Sequence, residues 1–329
     1  MFTYNTSNFD IEQIAGSGQC FRMTPLEGGL WQIIAEDRCL ILFQNGGQLI
    51  MSCSSGEFES FWREYFDLNY DYAKAIDSID SGDLYLTECA KAGYGIRILK
   101  QNLWEMLITF MISQNNNIPR IKNSVRRLCE YAGEKKSITF STMPAVAAFA
   151  DAASGGGEAA AVFAGEAMGG GEAAATCEPP IITGDCCFPA PVAPDGGCFS
   201  APVALEYHAF PSPEAVASIP VEVLHGFGLG YRDEYIHLAA QKIACGEYNL
   251  DALKGMSYDE AMKSLMTLKG VGRKVADCVC LFGLHHIEAF PIDTHIKQIL
   301  AAHYKDGFPF EKYKGYAGIL QQYMFYADL

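Results

Sequence analysis

Positive charge is scarce in this sequence. Its 329 residues carry 24 Lys and Arg against 39 Asp and Glu, a formal net charge of −15. That balance argues against a chain that coats nucleic acid or an anionic membrane by bulk electrostatics. The deficit is uneven, however. Between Lys136 and Arg232 there is no Lys or Arg, while ten Asp and Glu fall there. The remaining cations cluster, with Arg120, Lys122, Arg126, Arg127, Lys135 and Lys136 in one run and Lys254, Lys263, Lys269, Arg273 and Lys274 in another. Such patches hold phosphate locally on an acidic chain, weakly and with strong salt dependence.

Other shortages exclude further classes. No apolar run is long enough to span a bilayer, so no membrane association is expected. The opening MFTYNTSNFDIEQI lacks a basic start and an apolar core, which reads as no secretion signal. Twelve cysteines are scattered without a CxxC pair. Reduced thiols in a cytoplasmic chain are the expectation, nucleoid-associated if the chain acts on DNA. Cys177, Cys186, Cys187 and Cys198 lack the paired spacing of structural zinc, so they read as free thiols and not as a metal site.

What is present divides the chain. Residues 1–95 read as a mixed α/β domain. The short β-rich segments 30–34, 39–43 and 48–53 suggest an antiparallel sheet, and 58–66 and 70–79 have helical spacing. Residues 96–329 read as an all-α body. The apolar run 104–114 is a buried helix, and helical pattern extends to 136. An insert of Ala, Gly, Glu, Pro and Cys interrupts this body at about 146–205, without apolar periodicity, and order returns near Phe210.

The stretch LKGVGRKVADC, 268–278, carries the chemistry. Gly270 and Gly272 let backbone approach a ligand between two helices, and the second helix offers unpaired N–H groups and its positive dipole end. That is a phosphate site without sequence preference. Lys274 sits in the first turn among positive partial charges, which favour a free amine able to form a Schiff base. Asp293 follows nineteen positions on in PIDTH, where it would cap a third helix. A carboxylate there could stabilise cationic charge on a sugar. Singly, these residues read as an ordinary helical turn, a solvated lysine and a cap. Together the catalytic reading is favoured.

LKGVGRKVADC followed by PIDTH resembles the helix–hairpin–helix, Gly/Pro/Asp signature of the base-excision DNA glycosylase superfamily. The lysine form, with Cys278 four residues on, resembles the 8-oxoguanine DNA glycosylase/AP lyase family in its eukaryotic-type branch, here as a bacterial member. The resemblance implies an α+β fold: a twisted, TATA-binding-protein-like antiparallel sheet beside a helix–hairpin–helix body. It implies excision of 8-oxoguanine opposite cytosine in double-stranded DNA, by a monomer. Lys274 would be the nucleophile and Asp293 the stabilising carboxylate. Gly18, in AGSGQCFR, would accept from the N7 hydrogen that marks 8-oxoguanine. Cys278 and Phe325 would enclose the base, Gln321 would read its Watson–Crick edge, and Phe282, where vertebrate members carry Met, would shape the pocket. In SQNNNIPRI, Asn115 would fill the vacated space and Arg120 read the orphaned cytosine. In LGYR, Tyr231 would wedge into the stack and Arg232 contact the same cytosine. Gly270, Gly272 and His295 would bind phosphates.

Two rivals remain at this point. One is a glycosylase for another damaged or mispaired base, although no cysteine follows Cys280, against the iron–sulfur members. The other is a non-catalytic helix–hairpin–helix DNA-binding protein.

Overall fold

The computed structural model describes residues 1–140 and 203–329. Residues 1–138 and 205–329 form one compact unit that holds every side chain discussed below, while only four residues of the second unit, 139–204, are described. The insert read at 146–205, its last three residues excepted, lies outside the described residues, as do Cys177, Cys186, Cys187 and Cys198.

The N-terminal part is a five-stranded antiparallel sheet in the order β1-β5-β4-β3-β2. Its strands are β1 (Phe2–Asn5), β2 (Met23–Pro25), β3 (Leu30–Ala35), β4 (Arg38–Asn45) and β5 (Gln48–Met51). Tight turns set the register. Ala35 pairs with Arg38 across Glu36-Asp37, and Asn45 pairs with Gln48 across Gly46-Gly47. A side chain at Gly47 would stand 2.8 Å from the Thr6 carbonyl oxygen, so this corner admits only glycine. Ile33, Leu40, Leu42, Leu49 and Met51 alternate onto one face and are buried with Phe58, Trp62 and Phe66 from the helical stretch 55–66.

The remainder is helical. Leu103–Ser113 is its central element, with ten of eleven residues buried. It is capped by Asn102, whose side chain accepts from the Glu105 N–H at 3.1 Å. Arg273–Phe282 packs against it, and Gly283 ends that helix where a side chain would meet Leu103 Cδ1 at 2.9 Å. The helices Tyr72–Asp77 and Leu84–Ala92, contributed by the first 95 residues, bury Tyr72, Ala75, Leu86 and Cys89 in this helical core. One buried ion pair ties the sheet side to the central helix, Arg22 to Glu105 at 3.3 Å. Burial pushes the Glu105 carboxyl up while Arg22 opposes the rise.

The pattern read as helical to 136 ends earlier. The helix Ile118–Ala132 stops at Gly133, where a side chain would lie 2.0 Å from the Ala209 carbonyl oxygen. Lys135–Phe140 (β6) and Val203–His208 (β7) instead form a two-stranded sheet, so order returns before Phe210. Alternating exposure along 135–140 is the strand period.

Among the described residues, no helix is long and apolar enough to cross a membrane, and eight cysteines are free thiols, seven of them buried.

Candidate active site

The hairpin forms as its glycines require. Gly270 has φ +87, and a side chain there would lie 2.4 Å from the Tyr235 ring, so backbone passes hard against the Asp233–Ala244 helix. Gly272 is the N-cap of Arg273–Phe282 and offers no side chain to its first N–H groups. A side chain at Gly272 would meet nothing within 4 Å. Its surroundings are open where the positive end of the helix emerges.

Lys274 is half-buried beside that opening. Its Nζ donates to Ser113 Oγ at 3.1 Å and stands 5.2 Å from the centre of the Phe110 ring. One turn on, Cys278 is buried, and its thiol is pushed up to about 11. Burial is the main cause; Lys274 pulls the value down, and Asp277 and Asp293 raise it. The neutral thiol is an apolar wall, and both Lys274 and Asp293 lie within its electrostatic reach. Asp293 caps the helix Thr294–His303, accepting from the Ile296 N–H at 2.8 Å. A capping carboxylate is thereby held in one orientation.

A second group of side chains closes the site from the terminal helix, Ala317–Ala327. Gly18 has φ +72, and a side chain there would stand 3.0 Å from the Phe325 ring. Phe325 in turn meets the His295 ring edge-on at 5.4 Å, and His295 Nε2 faces Asp328 Oδ2 at 3.3 Å. Gln321, one turn before Phe325, is buried and donates from Nε2 to the Pro291 carbonyl at 3.2 Å. Asp293 follows two residues after Pro291 in the chain.

Phe282 lies one helical turn beyond Cys278. It is buried beneath Phe110, stacked at 5.4 Å and 17°, and supports the ring under Lys274.

The two polar loops meet each other. Asn115, with φ +45, donates from Nδ2 to the Tyr231 hydroxyl at 3.2 Å. Tyr231 is 53% exposed, with the Arg232 guanidinium 4.6 Å over its ring. Arg232 is buried and turned inward, donating to the carbonyls of Leu229, Gln114 and Asn115. In this conformation it holds the asparagine loop. Arg120 is exposed in the first turn of Ile118–Ala132, where Asn117 caps by accepting its N–H at 3.0 Å.

Three supports escaped the motif reading. Ser113 was only the end of an apolar run, Phe110 only its interior, and Gln19 only a loop residue. Gln19 is fully buried; its Nε2 donates to Ser17 Oγ and the Arg97 carbonyl, and its Oε1 accepts from the Leu99 N–H. That network fixes the Gly18 loop. A glutamine directly after the loop glycine was the available signal.

The model of the 8-oxoguanine DNA glycosylase N-terminal domain matches residues 1–107. The solved structure of MBOgg1 in complex with low affinity DNA ligand superposes with TM-score 0.74 and 30% identity, over 98% of this chain and 93% of that one. The chain belongs to the 8-oxoguanine DNA glycosylase family. A further family structure is the Clostridium acetobutylicum 8-oxoguanine glycosylase/lyase in complex with dsDNA containing cytosine opposite 8-oxoG. It matches with TM-score 0.73 and 26% identity, over 99% of this chain and 97% of that one. The N-glycosylase/DNA lyase of Saccharomyces cerevisiae is 29% identical over 222 residues, 64% of this chain and 42% of the yeast protein. The matched stretches span 24% and 42% of the length of the first two curated relatives.

Proposed function

We propose that this chain is a bifunctional DNA repair enzyme that removes 8-oxoguanine lying opposite cytosine and nicks the strand through a lysine Schiff base. The observation that carries the reading is Lys274, half-buried at the mouth of a helix and aimed at Ser113, with Asp293 held as a cap across the Cys278 thiol.

In the proposed reaction, duplex DNA docks through the N–H groups after Gly272, the Gly270 turn and His295. The lesion leaves the stack at a cost of a few kcal/mol. Asn115 and Tyr231 occupy the gap, with Arg120 toward the orphaned cytosine and Arg232 bracing the loop or turning outward to it. The base enters between Phe325 and Cys278. Gly18 accepts the N7 hydrogen present in 8-oxoguanine and absent in guanine, and Gln321 reads the edge that both share. The Lys274 amine forms a bond to C1′ as the glycosidic bond breaks, and its electron pair leaves with the base. Asp293 stabilises the positive charge that develops on the sugar. Ring opening yields the Schiff base, and loss of a C2′ proton expels the 3′ phosphate by β-elimination. The C2′ proton passes to the departed base or to water, and no step of this reading calls for a cofactor. A monomer acting on the nucleoid in the cytoplasm fits the reading.

Borohydride trapping on an 8-oxoguanine:cytosine duplex tests it. A covalent adduct forms with the native chain and none with Lys274→Gln. An adduct persisting in the variant removes Lys274 from the nucleophile's place. Failure of the native chain to excise leaves a DNA-binding protein without this chemistry.

A further inference from the structure

Gln322, beside the base-reading candidate on the terminal helix, is also buried. Its Nε2 donates to Gln321 Oε1 at 3.0 Å, and Gln321 Nε2 donates to the Pro291 carbonyl at 3.2 Å. Amide nitrogen and oxygen are told apart only by their partners. Here one partner leaves no choice. The Pro291 carbonyl can only accept, so the Gln321 group facing it is the NH2. Oε1 of Gln321 therefore faces Gln322, whose facing group must be its own NH2. The three groups form a relay of one polarity, held at one end by the Pro291 carbonyl and at the other by the Gln322 NH2.

We propose that Gln322 is a specificity-positioning residue that locks the polarity of the Gln321 amide against the Watson–Crick edge of the base. The proposal rests on the reading of Gln321 given above. With the relay in place, Gln321 retains one lone pair on Oε1 and one N–H on Nε2. A guanine-type edge offers N1–H to the first and O6 to the second, whereas an adenine-type edge offers an acceptor and a donor in reversed order. A freely flipping amide would accept either. The fixed one mismatches the adenine type at both atoms.

The second observation is the atom the relay leaves over. Gln322 Oε1 is buried and has no hydrogen-bond partner among the described residues. An unpaired buried acceptor is costly, and an apolar side chain would fill this position without that cost. The donor end of Gln322 is what the position retains.

The test uses duplexes carrying 8-oxoguanine or 8-oxoadenine, which share the N7 hydrogen and the 8-oxo group and differ at the Watson–Crick edge. Single-turnover excision is compared in the native chain, Gln322→Met, Gln322→Glu and Gln321→Ala. Strand cleavage at a pre-formed abasic site, where no base is read, serves as the control. Gln322→Met removes the donor at similar volume. Gln322→Glu sets a carboxyl oxygen against Gln321 Oε1 and works against the orientation that the Pro291 carbonyl favours. Preference for 8-oxoguanine is expected to fall several-fold in the Met variant and about tenfold or more in the Glu variant, with abasic-site cleavage unchanged. If the Glu variant does not fold, the Met variant carries the comparison. Loss of preference in Gln321→Ala but not in the Gln322 variants overturns the relay alone. Unchanged preference in Gln321→Ala overturns the base-edge reading and the relay with it. An equal fall in abasic-site cleavage in the Gln322 variants assigns them a structural role and overturns the proposal.

Discussion

Ser113 accepts a hydrogen bond from Lys274 Nζ at 3.1 Å across 161 positions of sequence, and the Cys278 thiol is a second polar neighbour of the amine. Removing that oxygen leaves the amine to the Phe110 ring and the Cys278 thiol, which aim it less narrowly. Ser113→Ala is therefore expected to slow Schiff-base trapping about five- to tenfold, in line with one hydrogen bond of roughly 1 kcal/mol. Thermal unfolding should move little, because Ser113 is only half-buried at a helix end. A trapping rate equal to the native one would deny Ser113 a part in aiming the amine. At this scale the reading from sequence had mixed reach. Lys274, Asp293 and Gly18 stand where local rules for helix starts, caps and positive-φ glycines set them. Phe282 and Arg232 are buried here by contacts with residues far along the chain, which their motifs do not record.

Two glycines of the hairpin make different demands on their element. Gly270→Ala forces a left-handed backbone and a side chain 2.4 Å from the Tyr235 ring, and a loss of about 1–3 kcal/mol follows. Gly272→Ala meets open space at φ −89 and costs less than about 1 kcal/mol. Chemical denaturation of the two variants should separate them, while duplex affinity falls more steeply for the first. Equal losses would mean that close packing on Tyr235 does not constrain the turn.

The catalytic helix also carries a buried carboxyl, Asp277. It accepts from the Tyr258 hydroxyl and has Arg273 Nε at 3.9 Å. Burial is the largest influence and pushes Asp277 up to about 6. Because the folded value lies above the unfolded one, the native state holds more protons in the interval between them, and stability falls as pH rises from about 4 to about 6. Asp277→Asn keeps an acceptor for Tyr258 without the charge. It is expected to be more stable than the native chain at pH 7.5, by at most roughly 3 kcal/mol. The two should converge below about pH 4. A difference that stays constant across that interval would contradict burial as the source of the shift.

At the level of the whole molecule, the sheet and the central helix are joined by Arg22 and Glu105, both almost free of solvent. Glu105→Ala leaves Arg22 buried without its counter-ion, and unfolding should be about 3–5 kcal/mol easier. Replacing both residues by Met should recover most of that loss, because the uncompensated charge goes too. A double variant no better than the single would assign the loss to packing instead. The net charge of −15 has a consequence at the same scale. DNA affinity should rest on a few local contacts and decline steeply with salt, measurable as the slope of log affinity against log salt concentration.

The residue sequence by itself determined the features that depend on neighbours a few positions apart. These are the alternating strands, the glycine hairpin with Lys274 in the next first turn, the Asp293 cap, and Gln321 and Phe325 one helical turn apart. Short-range sterics and backbone hydrogen bonding suffice for those. Only the tertiary structure decided that Lys274 aims at Ser113, that Phe282 lies under Phe110, that Arg232 turns inward, and that Gln322 and Pro291 fix the Gln321 amide. Most of these contacts join residues tens to more than a hundred positions apart, and even the neighbours Gln321 and Gln322 are oriented by a carbonyl thirty positions away. Their partners are set by which helix faces pack together, which no local spacing records.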